Sequence, residues 1–257
     1  MSRRAAAWTL GISLVLALLW MLLSPQLPLA EPYRSLFREG GTALACAVGA
    51  AALCMVAREP LLGREREGTG PFTIPAIAVI LLVGVNNFPF LSILFGEARV
   101  TAPLPAVLLF AVLCLAVATF EELLFRGLLL PALCSRLPAT PWGRCRAILA
   151  ASAVFALSHL ANLASGASLP ATLLQVGYSF LVGCAASVLF LQGGGILLAI
   201  AFHAVYNFGG LLVPRLGEGR LWDTPTVVFT VLLALLATVL ACLSLFWGQK
   251  RRKIPPK

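Results

Sequence analysis

The sequence predicts an all-α fold: a polytopic membrane bundle of about eight transmembrane helices in a single domain. Three observations carry that expectation. Of the 257 residues, 60% are apolar and only 11% are charged, against roughly 25% charged in soluble domains. Mean hydropathy is +0.95. The apolar residues also come in runs of about 20, the length that crosses about 30 Å of hydrocarbon. Together these exclude a disordered chain, a nucleic-acid module and an ordinary soluble enzyme. The net charge of +9 then reflects basic loops beside an anionic leaflet.

The first run, 7–29, follows Arg3-Arg4. It is long for the apolar part of a cleaved signal, and Pro28-Leu29-Ala30 is a poor cleavage site, so a retained anchor is expected. Runs 40–57 and 74–95 follow, separated by the loop Arg64-Glu65-Arg66-Glu67-Gly68. Asn86-Asn87 and Pro89 interrupt the third run; they either hydrogen-bond a neighbouring helix or line a cavity. Runs 102–130 and 146–164 flank the turn Pro138-Ala139-Thr140-Pro141-Trp142-Gly143. Runs 172–191 and 194–213 are joined by Gln192-Gly193-Gly194-Gly195, a tight hairpin. The last run, 225–247, ends in Lys250-Arg251-Arg252-Lys253, a solvated stop-transfer flank.

No loop is long enough for a second domain, so residues 1–257 are expected to form one membrane domain. No repeat of fixed period is evident. With eight spans, thirteen basic residues fall on the side of the termini and five on the other. Positive-inside logic then puts both termini in the cytoplasm. The Leu/Ala/Arg-rich composition looks bacterial, which makes the inner (plasma) membrane the expected location. Seven cysteines occur without C-x-x-C spacing, so they read as small hydrophobes rather than a disulfide framework or zinc cluster. Only Cys134 and Cys145, flanking one loop, invite a test for bridging.

Charge inside a bilayer is expensive, at least about 2.5–3.5 kcal/mol per residue at mid-depth, and so marks function. Glu121, Glu122 and Arg126 lie inside the fourth run, His159 in the fifth and His203 in the seventh. These histidines are the only two in the chain. Glu122 and Arg126, four apart with the acid first, share a helix face in the favourable order for an ion pair. Glu121 points about 100° away and is left free for acid–base work. Phe155 and His159 share a face of the fifth run. His203 and Asn207 share a face of the seventh, where an imidazole and a carboxamide can donate to one oxygen, as an oxyanion hole does. These groups suit attack of water on a carbonyl within the membrane. No G-x-S-x-G or H-E-x-x-H motif is present.

Taken in order, Glu121-Glu122-x-x-x-Arg126, Phe155-x-x-x-His159 and His203-x-x-x-Asn207 resemble the three-motif signature of the CPBP family. That family comprises the CAAX prenyl proteases and bacteriocin-processing enzymes, also called the Abi family. The resemblance covers about residues 102–213, the expected catalytic core. It implies a glutamate-type intramembrane endopeptidase in which Glu121 and His159 activate water and His203 and Asn207 form the oxyanion hole. Glu122, Arg126 and Phe155 would support the site.

The expected partners are membrane lipid and a membrane-anchored peptide or protein substrate, such as a C-terminal sorting or leader segment; nucleic acid is not expected. No cofactor is favoured, although Glu121, His159 and His203 could make a two-histidine, one-carboxylate zinc site. A proton or ion transporter is a rival reading, since Glu/His chains also mark ion paths. A non-catalytic scaffold or immunity protein is another. The depth of Glu121 in its run favours access from the inner half of the membrane.

Overall fold

The computed structural model describes residues 3–62, 70–220 and 224–250. The loop Arg64–Gly68 and the basic tail beyond Lys250 lie outside the described residues. Ten helices run in chain order: α1 (Arg3–Leu23), α2 (Tyr33–Ala57), α3 (Thr73–Asn86), α4 (Phe90–Leu94), α5 (Leu104–Glu122), α6 (Leu130–Arg136), α7 (Pro141–Ser158), α8 (Leu169–Gln192), α9 (Ile196–Leu216) and α10 (Thr224–Lys250). A π-helical segment, Leu123–Leu129, joins α5 to α6, and a 3-10 segment, His159–Leu163, extends α7. The protein is a polytopic helical bundle. Among the described residues, seven helices are long and apolar enough to cross a membrane, α5 through α6 counting as one of 33 residues.

The third predicted span differs. The run 74–95 is not one helix: α3 has 14 residues, a rise of about 21 Å, and α4 adds five after a break. The cause is local. Pro89 has no N–H and pushes the residue before it out of helical geometry, so the chain turns at Asn87 and Phe88, with Phe88 N–H donating to Val85 at 3.1 Å. The two asparagines use the break differently. Asn86 Nδ2 donates to Thr230 Oγ1 of α10 at 2.8 Å, and Asn87 Nδ2 to the Tyr206 carbonyl of α9 at 2.7 Å.

The other ends depart by a few residues. α7 begins at Pro141, inside the expected turn, because Thr140 caps it by accepting from Gly143 N–H at 3.1 Å and proline suits a first helical turn. A short antiparallel ribbon was not foreseen: β1 (Ala98–Val100) pairs with β2 (Gly217–Gly219) between the start of α5 and the end of α9. The predicted hairpin at 192–195 is present, with Gly194 and Gly195 at φ of 89° and 140°. A side chain at 195 would meet the Leu61 carbonyl, which accepts Ile196 N–H at 2.8 Å.

Small residues let the helices approach. The buried set includes Ala47, Ala50 and Ala52 of α2, Ala147 and Ala151 of α7, Ala186 of α8 and Ala199 of α9. In lipid there is little hydrophobic drive between helices, so close packing through such residues holds the bundle. α5 runs between α2 and α9, while α8 packs on α7 and α9. That arrangement brings the motif-bearing parts of α5, α7 and α9 to one place. The seven cysteines are free thiols, Cys134 and Cys145 among them.

Candidate active site

α5 ends at the two glutamates, and the π turn begins at the next residue. A π turn adds one residue to the helical repeat and is frequent at functional sites. Here Gly127 lets the wide turn lie against α2, since a Cβ there would stand 2.9 Å from Cys54 Sγ. The Cys54 thiol donates weakly to the Leu123 carbonyl at 3.5 Å.

Glu122 is fully buried and Arg126 is 1% exposed. Arg126 Nη1 donates to Glu122 Oε1 at 2.8 Å, the pairing expected from the spacing. Arg126 Nη2 donates to the Gly183 carbonyl of α8 at 3.0 Å, and its guanidinium carbon lies 4.7 Å from the Phe155 ring centre. The cation is thus held by a carboxylate, a carbonyl and an aromatic face.

His203, itself buried, stands between the glutamates. Its Nδ1 lies 2.7 Å from Glu122 Oε1 and its Nε2 lies 3.4 Å from Glu121 Oε2. Glu122 Oε1 already accepts from Arg126 Nη1, so in the short contact with His203 it is Nδ1 that donates. Glu122 is therefore more than an anchor for Arg126: it also orients His203. The sequence did not show this second partner, because spacing along one helix cannot say which neighbouring helix a carboxylate meets.

Glu121 differs from its neighbour in being partly open, with 21% of its side chain exposed. It lines a cavity of about 490 Å³ together with His159, His203 and Asn207. His159 begins the 3-10 segment, and its Nδ1 lies 3.1 Å from the Phe155 carbonyl. A carbonyl only accepts, so Nδ1 holds the proton and Nε2 is left with its lone pair. The buried Phe155 ring packs edge-on against both imidazoles, at 5.1 Å from His159 and 5.7 Å from His203. Asn207 follows His203 by one turn of α9 and is half-buried.

Asn162, Glu39 and Arg215 line the cavity but were not singled out from the sequence, whereas Asn87 was. Asn162 Nδ2 donates to Gln175 Oε1 at 2.8 Å, which closes one wall. At the far end Arg215 of α9 forms a two-pronged pair with Glu39 of α2, at 3.1 and 2.7 Å. Asn87 also lines the cavity. The Arg215 end lies next to the β1–β2 ribbon, on the face away from the chain termini. The cavity lining extends from Glu121 to Glu39 and Arg215 beside the ribbon.

Among the described residues, no three His, Cys, Asp or Glu side chains form a group that could hold a metal ion. Glu121, His159 and His203, the alternative zinc set, are not drawn together as such a group.

Residues 103–209 match the family model described as type II CAAX prenyl endopeptidase, Rce1-like. The match covers less than half of the chain, the central helices that carry the motifs. Over this segment the chain is similar to membrane proteases of the CAAX type, and peptide-bond hydrolysis is the activity that the match supports. An Escherichia coli protein described as "Uncharacterized 24.3 kDa protein" is 29% identical over 166 residues, covering 61% of this chain and 70% of the relative. No solved structure matches. All seven motif residues, Glu121 to Asn207, fall inside the matched segment.

Proposed function

We propose that the protein is an intramembrane protease of the glutamate type and works without a metal. The observation that carries the reading is His203 set between two carboxylates on the wall of an intramembrane cavity. With Nδ1 donating to Glu122 and Nε2 facing Glu121, a doubly protonated His203 balances the cluster: two carboxylates against a guanidinium and an imidazolium. Neutrality matters in low dielectric, where an unbalanced charge is strongly unfavourable.

In the proposed reaction, ionised Glu121 takes a proton from a water held also by the Nε2 lone pair of His159. The water oxygen bonds to the scissile carbonyl carbon, and the carbonyl π pair moves to oxygen. His203 Nε2–H turns from Glu121 to this oxyanion, joined by the Asn207 carboxamide N–H. Such hydrogen bonds are often poorly aligned before substrate arrives. The intermediate collapses with cleavage of the C–N bond, and Glu121 returns the proton to the leaving amine. Glu122, Arg126 and Phe155 hold His203 and the helix junction in place. Residues 102–213 form the catalytic core of a single membrane domain.

The favoured substrates are bacterial membrane-anchored peptides, such as C-terminal sorting or leader segments, cut in the inner membrane. With the broken α3–α4 segment counted as the eighth crossing, thirteen basic residues lie on the terminal side against five opposite, so both termini face the cytoplasm and the cavity opens outward. An impermeant thiol reagent should label a cysteine placed at Glu218 in intact cells; labelling only after lysis would reverse the orientation.

The decisive test of the chemistry is cleavage of a membrane-tethered peptide by purified protein in vesicles. Glu121→Gln should abolish cleavage while the protein still inserts and purifies, with a smaller fall in thermal midpoint than Glu122→Gln, because this carboxylate is partly open and does not pair with Arg126. Cleavage at the wild-type rate would refute the assignment. Activity should also survive chelation; activity that follows zinc content would refute the metal-free reading.

A further inference from the structure

Asn87 sits where the third helix breaks. α3 ends at Asn86, and helix resumes only at Phe90. Irregular backbone at membrane depth is tolerated where protein covers it or where it lines a cavity, and both hold here. Asn87 is 5% exposed and lies on the wall shared with Glu121, His203 and Asn207.

Its carboxamide has one partner, the Tyr206 carbonyl of α9, 2.7 Å from Nδ2. Since a carbonyl can only accept, the amide orientation is fixed with nitrogen toward α9. Oδ1 is then left buried with no partner. An orphaned buried acceptor is unfavourable, so this residue is a poor choice for filling space alone.

The surface of α9 is shaped to receive it. A Cβ at Gly209 would stand 2.7 Å from Phe88 N, and one at Gly210 would meet Asn87 Nδ2. Two adjacent glycines weaken a helix, yet without them the break could not dock. The contact grips the α9 backbone at Tyr206, the residue immediately before Asn207.

We propose that Asn87, seated on Gly209-Gly210, is a positioning residue that sets the turn of α9 carrying Asn207 and so aims its carboxamide at the reacting carbonyl. This rests on the reading of Asn207 as an oxyanion donor. Displacing a catalytic group by about 1 Å can lower turnover about 100-fold, which sets the scale of the expected effect.

The test is a double-mutant cycle on the full chain in vesicles, measuring kcat, KM and thermal midpoint with a membrane-tethered peptide. Asn207→Ala should lower kcat about 100- to 1,000-fold, as loss of one oxyanion donor does. Asn87→Ala should lower kcat about 10- to 100-fold with KM unchanged. In the Asn207→Ala background, Asn87→Ala should change kcat less than about twofold, because its effect passes through the missing carboxamide.

Wild-type kcat in Asn207→Ala would remove the oxyanion reading, and this role with it. Losses that multiply would overturn the role of Asn87 alone, as would wild-type kcat in Asn87→Ala or a rise confined to KM. Gly210→Ala approaches the same contact from the other side and carries the test if Asn87→Ala does not fold. Its kcat loss should likewise vanish without Asn207. Adding Asn87→Ala to Gly210→Ala should restore the midpoint by relieving the clash but not restore kcat; restored kcat would overturn the proposal.

Discussion

Glu122→Gln separates what holds this site together from what makes it react. Glu122 Oε1 serves two donors at once, Arg126 Nη1 at 2.8 Å and His203 Nδ1 at 2.7 Å. A glutamine carbonyl can still accept both, so the hydrogen bonds can persist while the charge is lost. The new amide N–H groups would replace Oε2, which has no partner, and so would find no acceptor. Arg126 would keep its hydrogen bonds and the Phe155 face but lose the carboxylate that neutralises it. Removing one member of a buried ion pair costs about 3–5 kcal/mol. At about 2–4 °C per kcal/mol for a chain of this size, the thermal midpoint should fall by about 6–20 °C. The assay is thermal unfolding in detergent or nanodiscs, run beside peptide cleavage. The companion is Glu122→Leu with Arg126→Met, since apolar replacement of a whole buried pair is often neutral. Gly183 would still accept from Ser187 Oγ at 2.8 Å. This double variant should recover most of the midpoint but no cleavage, because His203 has lost its Nδ1 acceptor. A midpoint within about 2 °C of wild type in Glu122→Gln, under 1 kcal/mol by the same conversion, would refute the energetic argument. Cleavage regained in the double variant would refute the orienting role.

Other predictions rest on separate contacts. Gly183→Ala places a methyl 3.0 Å from Ser152 Cβ and 3.2 Å from Arg126 Nη2; such overpacking should destabilise by about 1–3 kcal/mol and lower cleavage, read from the same melting and rate assays. Arg215→Ala breaks the pair with Glu39, but 41% and 33% of these side chains are exposed, so equilibrium stability should change by less than about 1 kcal/mol. His203→Gln keeps an N–H donor yet leaves the cluster with one uncompensated negative charge, so its kcat should fall further than that of Asn207→Ala. Equal losses would mean that His203 contributes only a hydrogen bond.

The membrane spans were legible because bilayer thickness turns a three-dimensional constraint into a one-dimensional run length. The convergence of Glu121, Glu122, Arg126, His159 and His203 was legible for a similar reason: each is too unfavourable in lipid to stand alone. What stayed hidden depends on contacts between helices. Nothing in Leu123–Leu129 announces a π turn, and the Glu122–His203 bond joins residues 81 apart. The ribbon pairs three residues on each side across the whole catalytic core, too few to leave a period-2 pattern. The third span was half legible. Asn86-Asn87 and Pro89 signalled an interruption, but that Asn87 both docks on α9 and lines the cavity required the approach permitted by Gly209-Gly210.

The charge arrangement gives the site a coherence that the motif residues do not have singly. In the proposed resting state Glu121, Glu122 and Arg126 together carry one negative charge, and a proton on His203 cancels it. In the proposed attack, negative charge develops on the substrate oxygen while Glu121 gains a proton from water. The negative charge therefore moves from Glu121 to the oxyanion, and the sum over site and substrate stays at zero. His203 lies 3.4 Å from the group that gives up the charge and is the proposed donor to the group that receives it. A fixed cation there need not be rebuilt during the reaction, which is the condition for electrostatic stabilisation without reorganisation. Within a membrane, where creating net charge is most unfavourable, this explains why an arginine and a second glutamate should be buried behind a histidine that already has a carboxylate in front of it.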